Sequence, residues 1–264
     1  MSELSISTSA FNFWTGFYPQ DYDGKDVNLE LCRWAGKKAY LDMNRTLNFI
    51  VSTKDAKDKK TEKSIAKTRE GLRNQAIEKM FDHFKEVNED YDEWHNNICK
   101  NIIKIYCEKL KTKSKEKIEK CDMTVGQAQK WVNMTVKYIW LVCSVYGSSD
   151  IFHYYENLMK QEKYFHIPLD HYILDYVKLN CIDKDENLSE EIKNGLTAIK
   201  KVWSAIPDFE SYNKYQEALR KLIMNEEVNY HSPLEWELVH WHEAIETENK
   251  RIESKKKAKE QNLL

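Results

Sequence analysis

Residues Cys121–Gly147 read CDMTVGQAQKWVNMTVKYIWLVCSVYG, and from Met123 to Ser149 there is not a single Asp or Glu in a chain that is 32% charged. Thr124, followed three residues later by Gln127, forms a capping-box pattern. In such a box a hydroxyl meets an orphan N–H of the first helical turn and the amide side chain reaches back. A helix is therefore predicted to begin here. Val125, Ala128, Val132, Val136, Ile139 and Cys143 share one face at helical spacing, and Trp131, Met134, Tyr138 and Leu141 widen the apolar arc. Only a narrow stripe is left over. It carries Lys130, Asn133 and Lys137, with Gln127 at its edge, and no carboxylate lies near in sequence to pair with either lysine. The stripe is either a solvated strip of snorkelling lysines or a row of amines and amides aimed at a ligand.

Working outward, the next informative stretch is FHIPLDHYILDYV, Phe165–Val177. Pro168 stiffens the chain just before Asp170, which stands at the N-cap of a helix carrying Ile173, Leu174 and Val177. Near the C-terminus, HSPLEWELVHW (His231–Trp241) opens a further amphipathic helix. Taken in order, KWVNMTVK, IPLD and HSPLEWELVHW resemble three motifs of the helix-hairpin-helix DNA glycosylase superfamily, and most of all its archaeal 8-oxoguanine glycosylase branch. The resemblance is one of short motifs and covers roughly residues 115–245. Gly126 is the one glycine in the hairpin position, and Lys130 and Asp170 are forty residues apart.

The resemblance implies an all-α fold: two helical subdomains flanking a cleft, with a helix-hairpin-helix element that binds DNA. It implies Lys130 as nucleophile, with Lys137 in reserve, and Asp170 as the assisting carboxylate facing the same pocket. Gln127, Asn133 and Trp131 become candidates for reading the base. The hairpin around Gly126 would bind a phosphate, helped by the lysine-rich approach KLKTKSKEKIEK and in particular by Lys113, Lys115 and Lys117. The partner would be double-stranded DNA containing a modified base, with no cofactor required. The implied substrate is 8-oxoguanine, in genome repair; a hypermodified cytosine of phage DNA, such as a glucosylated hydroxymethylcytosine, in antiviral defence is the alternative. Strand cleavage by AP-lyase chemistry could follow base release.

The chemistry gives these residue types their meaning. Breaking the C1′–N bond passes through an oxocarbenium-like transition state after the base has left the stack. A nearby carboxylate stabilises that cationic sugar. A desolvated lysine can attack C1′ as a neutral amine and form a Schiff base.

Composition narrows the field. Seven Gly and four Pro in 264 residues, amid abundant Lys, Glu, Leu and Ile, predict a helical protein in a single domain. A net charge of −2 argues against a protein that coats nucleic acid but leaves room for a local basic face. Six cysteines without a C-x-x-C read as reduced intracellular thiols, and no iron-sulfur or zinc spacing occurs, so no metal is expected. No apolar run reaches membrane-spanning length and no signal peptide is evident, so a monomeric, cytoplasmic protein without a membrane partner is expected.

Helices are predicted over Asn28–Val51, Glu62–Val87, Tyr91–Glu119, Ser189–Ser204, Phe209–Glu226 and Pro233–Glu246, with residues 54–63 and 249–264 solvated or disordered. A short helix ending at Lys160 is expected to be capped by Ser149 or Asp150. The rival from another class is a non-enzymatic helical protein that binds nucleic acid or a partner through the same lysines.

Overall fold

Asp26 starts the first long helix by accepting hydrogen bonds from the amides of Asn28 and Leu29 at 3.0 and 3.2 Å. The same logic, a short polar cap followed by an apolar face, recurs along the chain. The computed structural model describes residues 11–12, 15–51, 59–87, 90–107, 118–147, 151–185, 187–199, 202–226 and 228–261. In chain order the elements are α1 (Val27–Met43), β1 (Phe49–Val51), α2 (Lys59–Phe84), α3 (Tyr91–Cys107), β2 (Ile118–Cys121), α4 (Val125–Tyr146), α5 (Glu156–Met159), α6 (His171–Tyr176), α7 (Glu190–Leu196), α8 (Phe209–Met224) and α9 (Pro233–Gln261). The all-α expectation holds for the bulk of the chain, with one two-stranded ribbon added. The residues divide into two compact units. One comprises Met1–Met123 with Gln127–Gln161, the other Thr124–Gly126 with Glu162–Leu264.

In the first unit α1 packs on α2 and α2 on α3. Leu31, Ala35 and Ala39 of α1 are fully buried, as are Ile98 and Ile102 of α3. Gly36 permits the close approach of α1 and α2, because a Cβ there would lie 2.8 Å from Cγ1 of Ile77. The lysine helix α4 joins this core through Trp131, whose ring contacts Tyr40 and Tyr106 and whose indole N–H donates to the Gly36 carbonyl at 2.9 Å. In the second unit α7 packs on α8 and α6 on α9. Tyr212, Leu219, Leu234 and Trp236 lie at its core.

Several boundaries differ from those read in the sequence, among them the helix expected over Ser189–Ser204, which closes at Leu196. The helix expected over Asn28–Val51 stops at Met43, because Phe49–Val51 pairs antiparallel with Ile118–Cys121, Phe49 lying opposite Cys121. Of the helix expected over Tyr91–Glu119, Tyr91–Cys107 is helical among the described residues, while Ile118–Cys121 is extended. Backbone hydrogen bonds to a distant strand outweigh a weak local helical preference. At the C-terminus the last helix runs to Gln261 instead of fraying after Glu246, so residues 249–261 of the stretch taken as solvated or disordered are helical. The stretch ESKKKAKEQ that prolongs it is made of good helix formers. Residues 59–63, also expected to be loop, open α2, and residues 54–58 lie outside the described residues. The predicted caps Ser149 and Asp150 lie outside them too, and α5 is preceded by a 3₁₀ turn over His153–Tyr155. No helix among the described residues is long and apolar enough to cross a membrane.

Candidate active site

Among the described residues, two cationic side chains are buried, and they are Lys130 (6% exposed) and Lys137 (8%). In a chain with 41 Lys and Arg, that selection is informative, since withdrawing an ammonium from water is costly unless structure or function requires it. Both lysines sit on α4, whose polar positions are buried rather than solvated: Gln127, Gln129, Asn133 and Thr135 are each at most 4% exposed. The snorkelling reading of the stripe therefore does not describe it. Ala128, Trp131, Val132, Val136 and Ile139 are buried as well, so the apolar and the polar positions of this helix are both shielded from water.

The amides expected to read a base are engaged within the first unit. Nε2 of Gln127 donates to the Thr46 carbonyl at 2.6 Å. Asn133 holds a three-membered network: its Nδ2 donates to Oε1 of Gln129 at 2.9 Å, and its Oδ1 meets Nε2 of His95 at 2.7 Å. With Oδ1 an acceptor, His95 carries its proton on Nε2. Trp131 is fully buried with its N–H committed to Gly36. Reading a base with any of these three would mean breaking core hydrogen bonds.

Gly126 stands one residue inside α4 and its N–H donates to the Ile206 carbonyl at 3.2 Å. A Cβ at this position would overlap the Trp203 carbonyl oxygen, and Thr124 anchors the same turn by donating to the Ser204 carbonyl at 2.7 Å. The helix thus begins where the capping pattern puts it, but Gly126 serves a close backbone approach, and the amide expected to grip a phosphate is given to Ile206. Lys113, Lys115 and Lys117 lie outside the described residues.

Asp170 is built from the second unit. Phe165–Asp170 is a buried segment without regular secondary structure, and α8 grips it. Gln216 pairs with the backbone of Ile167 twice, accepting from its N–H at 3.1 Å and donating to its carbonyl at 2.8 Å. Tyr212 hydrogen-bonds Nδ1 of His166 at 2.8 Å. Held in this way, and stiffened by Pro168, the segment presents Asp170 in extended conformation at the head of α6, where its carboxylate accepts from the Ile173 amide at 3.1 Å. The N-cap read from the sequence is present, at 8% exposure. Gln216 and Tyr212 were not legible as its support, since they lie more than forty residues further along the chain and carry no motif.

A cavity of about 470 Å³ borders α6, lined by His171, Leu174, Asp175, Lys178, Trp203 and Tyr215 among others. Its volume suits a small organic ligand. Thiol chemistry finds little support: burial pushes Cys121, Cys143 and Cys181 up to about 12 and raises Cys32 and Cys99 as well, so these stay protonated near neutrality. All six cysteines are free. No group of three or more His, Cys, Asp or Glu among the described residues could hold a metal ion. Lys130 and Lys137 on α4 and Asp170 at the head of α6 are thus among the buried ionisable side chains of the described residues. No family model, curated protein or solved structure matches this chain.

Proposed function

We propose that this chain is a DNA N-glycosylase that excises a modified base with a lysine nucleophile and an assisting aspartate. The observation that carries the reading is the burial of Lys130 and Lys137, since attack on C1′ uses an amine withdrawn from bulk water. In the proposed reaction the target nucleotide leaves the base stack. Nζ of Lys130 forms a bond to C1′ as the C1′–N bond breaks, and its electron pair departs with the base, which takes up a proton. The Asp170 carboxylate stabilises the positive charge that develops on the sugar. Loss of a proton from nitrogen and opening of the ring give an imine. Water hydrolyses it, or β-elimination of the 3′ phosphate precedes hydrolysis and the strand is cut.

The substrate in this reading is 8-oxoguanine or a hypermodified cytosine of foreign DNA, and the partner is a duplex that contains one. A second reading, a helical protein that binds nucleic acid or another protein without chemistry, is favoured by the hydrogen bonds that already occupy Gln127, Asn133 and Trp131 inside the core.

Borohydride separates the two readings. It reduces the imine to a secondary amine and leaves protein and DNA covalently joined. With duplexes carrying 8-oxoguanine and with phage DNA rich in glucosylated hydroxymethylcytosine, at least one substrate should give an adduct that Lys130→Gln abolishes. Should Lys137→Gln abolish it instead, the nucleophile is Lys137. An adduct surviving in both single variants, or none on any substrate with released bases absent by mass spectrometry, overturns the proposal and leaves the binding protein.

A further inference from the structure

The closing helix α9 carries a histidine that the mechanism above does not use. His240, with its side chain 17% exposed, is ringed by groups from several elements. From α6 comes Tyr176, whose hydroxyl lies 2.9 Å from Nδ1 of His240 and donates to Oε2 of Glu243 at 2.7 Å. From α9 itself comes Glu243, its Oε2 3.1 Å from the same Nδ1, with His242 next to it in sequence. From the connection between α8 and α9 come Tyr230, its hydroxyl 3.2 Å from Nε2, and Glu226, its Oε2 3.8 Å from Nε2. Cys181, at the end of the π-helical turn Val177–Ile182 that follows α6, is within electrostatic reach of Glu226. The rings of Tyr176 and Trp236 pack on the imidazole, with centroids 5.5 and 4.7 Å away.

The proton inventory of this cluster fixes its neutral state. Tyr176 has one hydroxyl proton and gives it to Glu243, so toward His240 it can only accept. Nδ1 therefore carries the imidazole proton and shares it between Tyr176 and Glu243. Nε2 is then an acceptor and takes the Tyr230 hydroxyl proton. A second proton on the imidazole must go to Nε2. It turns the Tyr230 contact round and places a cation between Glu243 on one side and Glu226 on the other. Glu226 is already held, since its Oε1 accepts from the indole N–H of Trp236 at 2.7 Å.

We propose that His240 is a proton-dependent positioning residue: its charged form clamps the C-terminal end of α6 to α9 and to the α8–α9 connection, and so fixes the helix that Asp170 caps. The inference rests on the reading of Asp170 as a working residue. α6 spans only six residues, His171–Tyr176, with Asp170 capping its start and the clamp residue Tyr176 at its end, and a π-helical turn follows directly. A helix this short has little stability of its own, so its order comes from its two ends, the gripped Phe165–Asp170 segment and Tyr176. Hydrogen bonds from His240 and Tyr176 hold the Glu243 carboxyl below the usual carboxylate range, so its contribution is complete above about pH 4.3 and is lost only as pH falls below that. Burial and Glu243 push the Tyr176 phenol up, so it keeps its proton throughout. The remaining group of the cluster that can take up a second proton is the imidazole, which lies between the two carboxylates.

The test is amide hydrogen exchange of the full chain at pH 5.5 and pH 8, corrected for intrinsic rates, read at the α6 amides Ile173–Tyr176. Wild type should show several-fold stronger α6 protection at pH 5.5. His240→Gln, which cannot charge, should hold one protection value at both, and Glu226→Gln, a milder change, should lose most of the difference while keeping the fold. Equal protection of wild type at the two pH values, or a pH difference that persists in His240→Gln, overturns the proposal. Borohydride trapping of the same proteins keeps this outcome apart from the function. Switching exchange without any adduct defeats the glycosylase reading and leaves the clamp, whereas an adduct with unchanging exchange defeats the clamp alone. Where both hold, the pH profile of adduct yield should shift in His240→Gln and stay put in a surface control, Lys214→Gln.

Discussion

A carboxylate at an N-cap accepts a backbone N–H whether or not it also serves a substrate, so for Asp170 the two duties separate only under substitution. Asn keeps an acceptor oxygen at the cap and removes the charge; Ala removes both. Asp170→Asn should therefore unfold within a few tenths of a kcal/mol of wild type, and Asp170→Ala about 1 kcal/mol lower. In the proposed chemistry both should lose base release by about 100-fold or more, the usual scale for removing one transition-state charge contact. Denaturant midpoints and release of the base measured on the same preparations check this; an active Asp170→Asn would leave the residue a cap and nothing more. The cap was readable because it depends on neighbours three residues apart. At Gly126 what demands a glycine is the Trp203 carbonyl, more than seventy residues away. A glycine's sequence context does not reveal which backbone will approach it.

For an element, the same distinction between local and distant causes decides what the sequence carries. The apolar arc of α4 was legible from its period, since side chains at helical spacing must share a face. Its polar stripe was legible as a stripe but not as an interior, because burial of Gln127, Asn133 and the two lysines depends on what covers them. Once His95 of α3 and Gln129 are seen to meet Asn133, that residue becomes a structural one. Asn133→Ala removes two buried hydrogen bonds and should cost about 1–3 kcal/mol, seen as a lower urea midpoint with an unchanged slope. Its effect on DNA should be confined to that loss of stability, so that affinity measured well below the unfolding temperature stays at the wild-type value. A fall in affinity for modified DNA alone would return Asn133 to the base-reading set. The ribbon of β1 and β2 fails to announce itself for a related reason: Phe49–Val51 and Ile118–Cys121 are short, and only their pairing makes either a strand. At the other end, the lysines after Asn249 look like a fraying tail by charge alone, yet Arg251 pairs with Glu248 at 2.7 Å and with Asp175 at 3.2 Å, which ties that part of α9 to α6.

Across the whole molecule the question is whether a chain of net charge −2 can hold DNA at all. Affinity follows the number of phosphates neutralised and not the sum of charges. The segment Lys109–Lys120 supplies six lysines against two glutamates, so the sequence holds a local basic stretch even though the total is slightly acidic. Because Gly126 spends its N–H on Ile206, a grip on phosphate would fall to these lysines rather than to that amide. A footprint of this size would make about three to five phosphate contacts, and log K should then fall with log salt at about −0.9 per contact, a total slope near −3 to −4.5. Reversing the charge of Lys113, Lys115 and Lys117 should flatten that slope by about 2.7 and weaken modified and unmodified duplexes alike. Lys130→Gln should leave slope and affinity unchanged, since a side chain 6% exposed is not a surface counterion to phosphate. Titrations of a fluorescent duplex at salt concentrations from 50 to 200 mM measure all three proteins. An unaltered slope in the triple variant would take the lysine run out of the DNA-binding face, and a slope flattened by Lys130→Gln would make that lysine a phosphate contact instead of the proposed nucleophile.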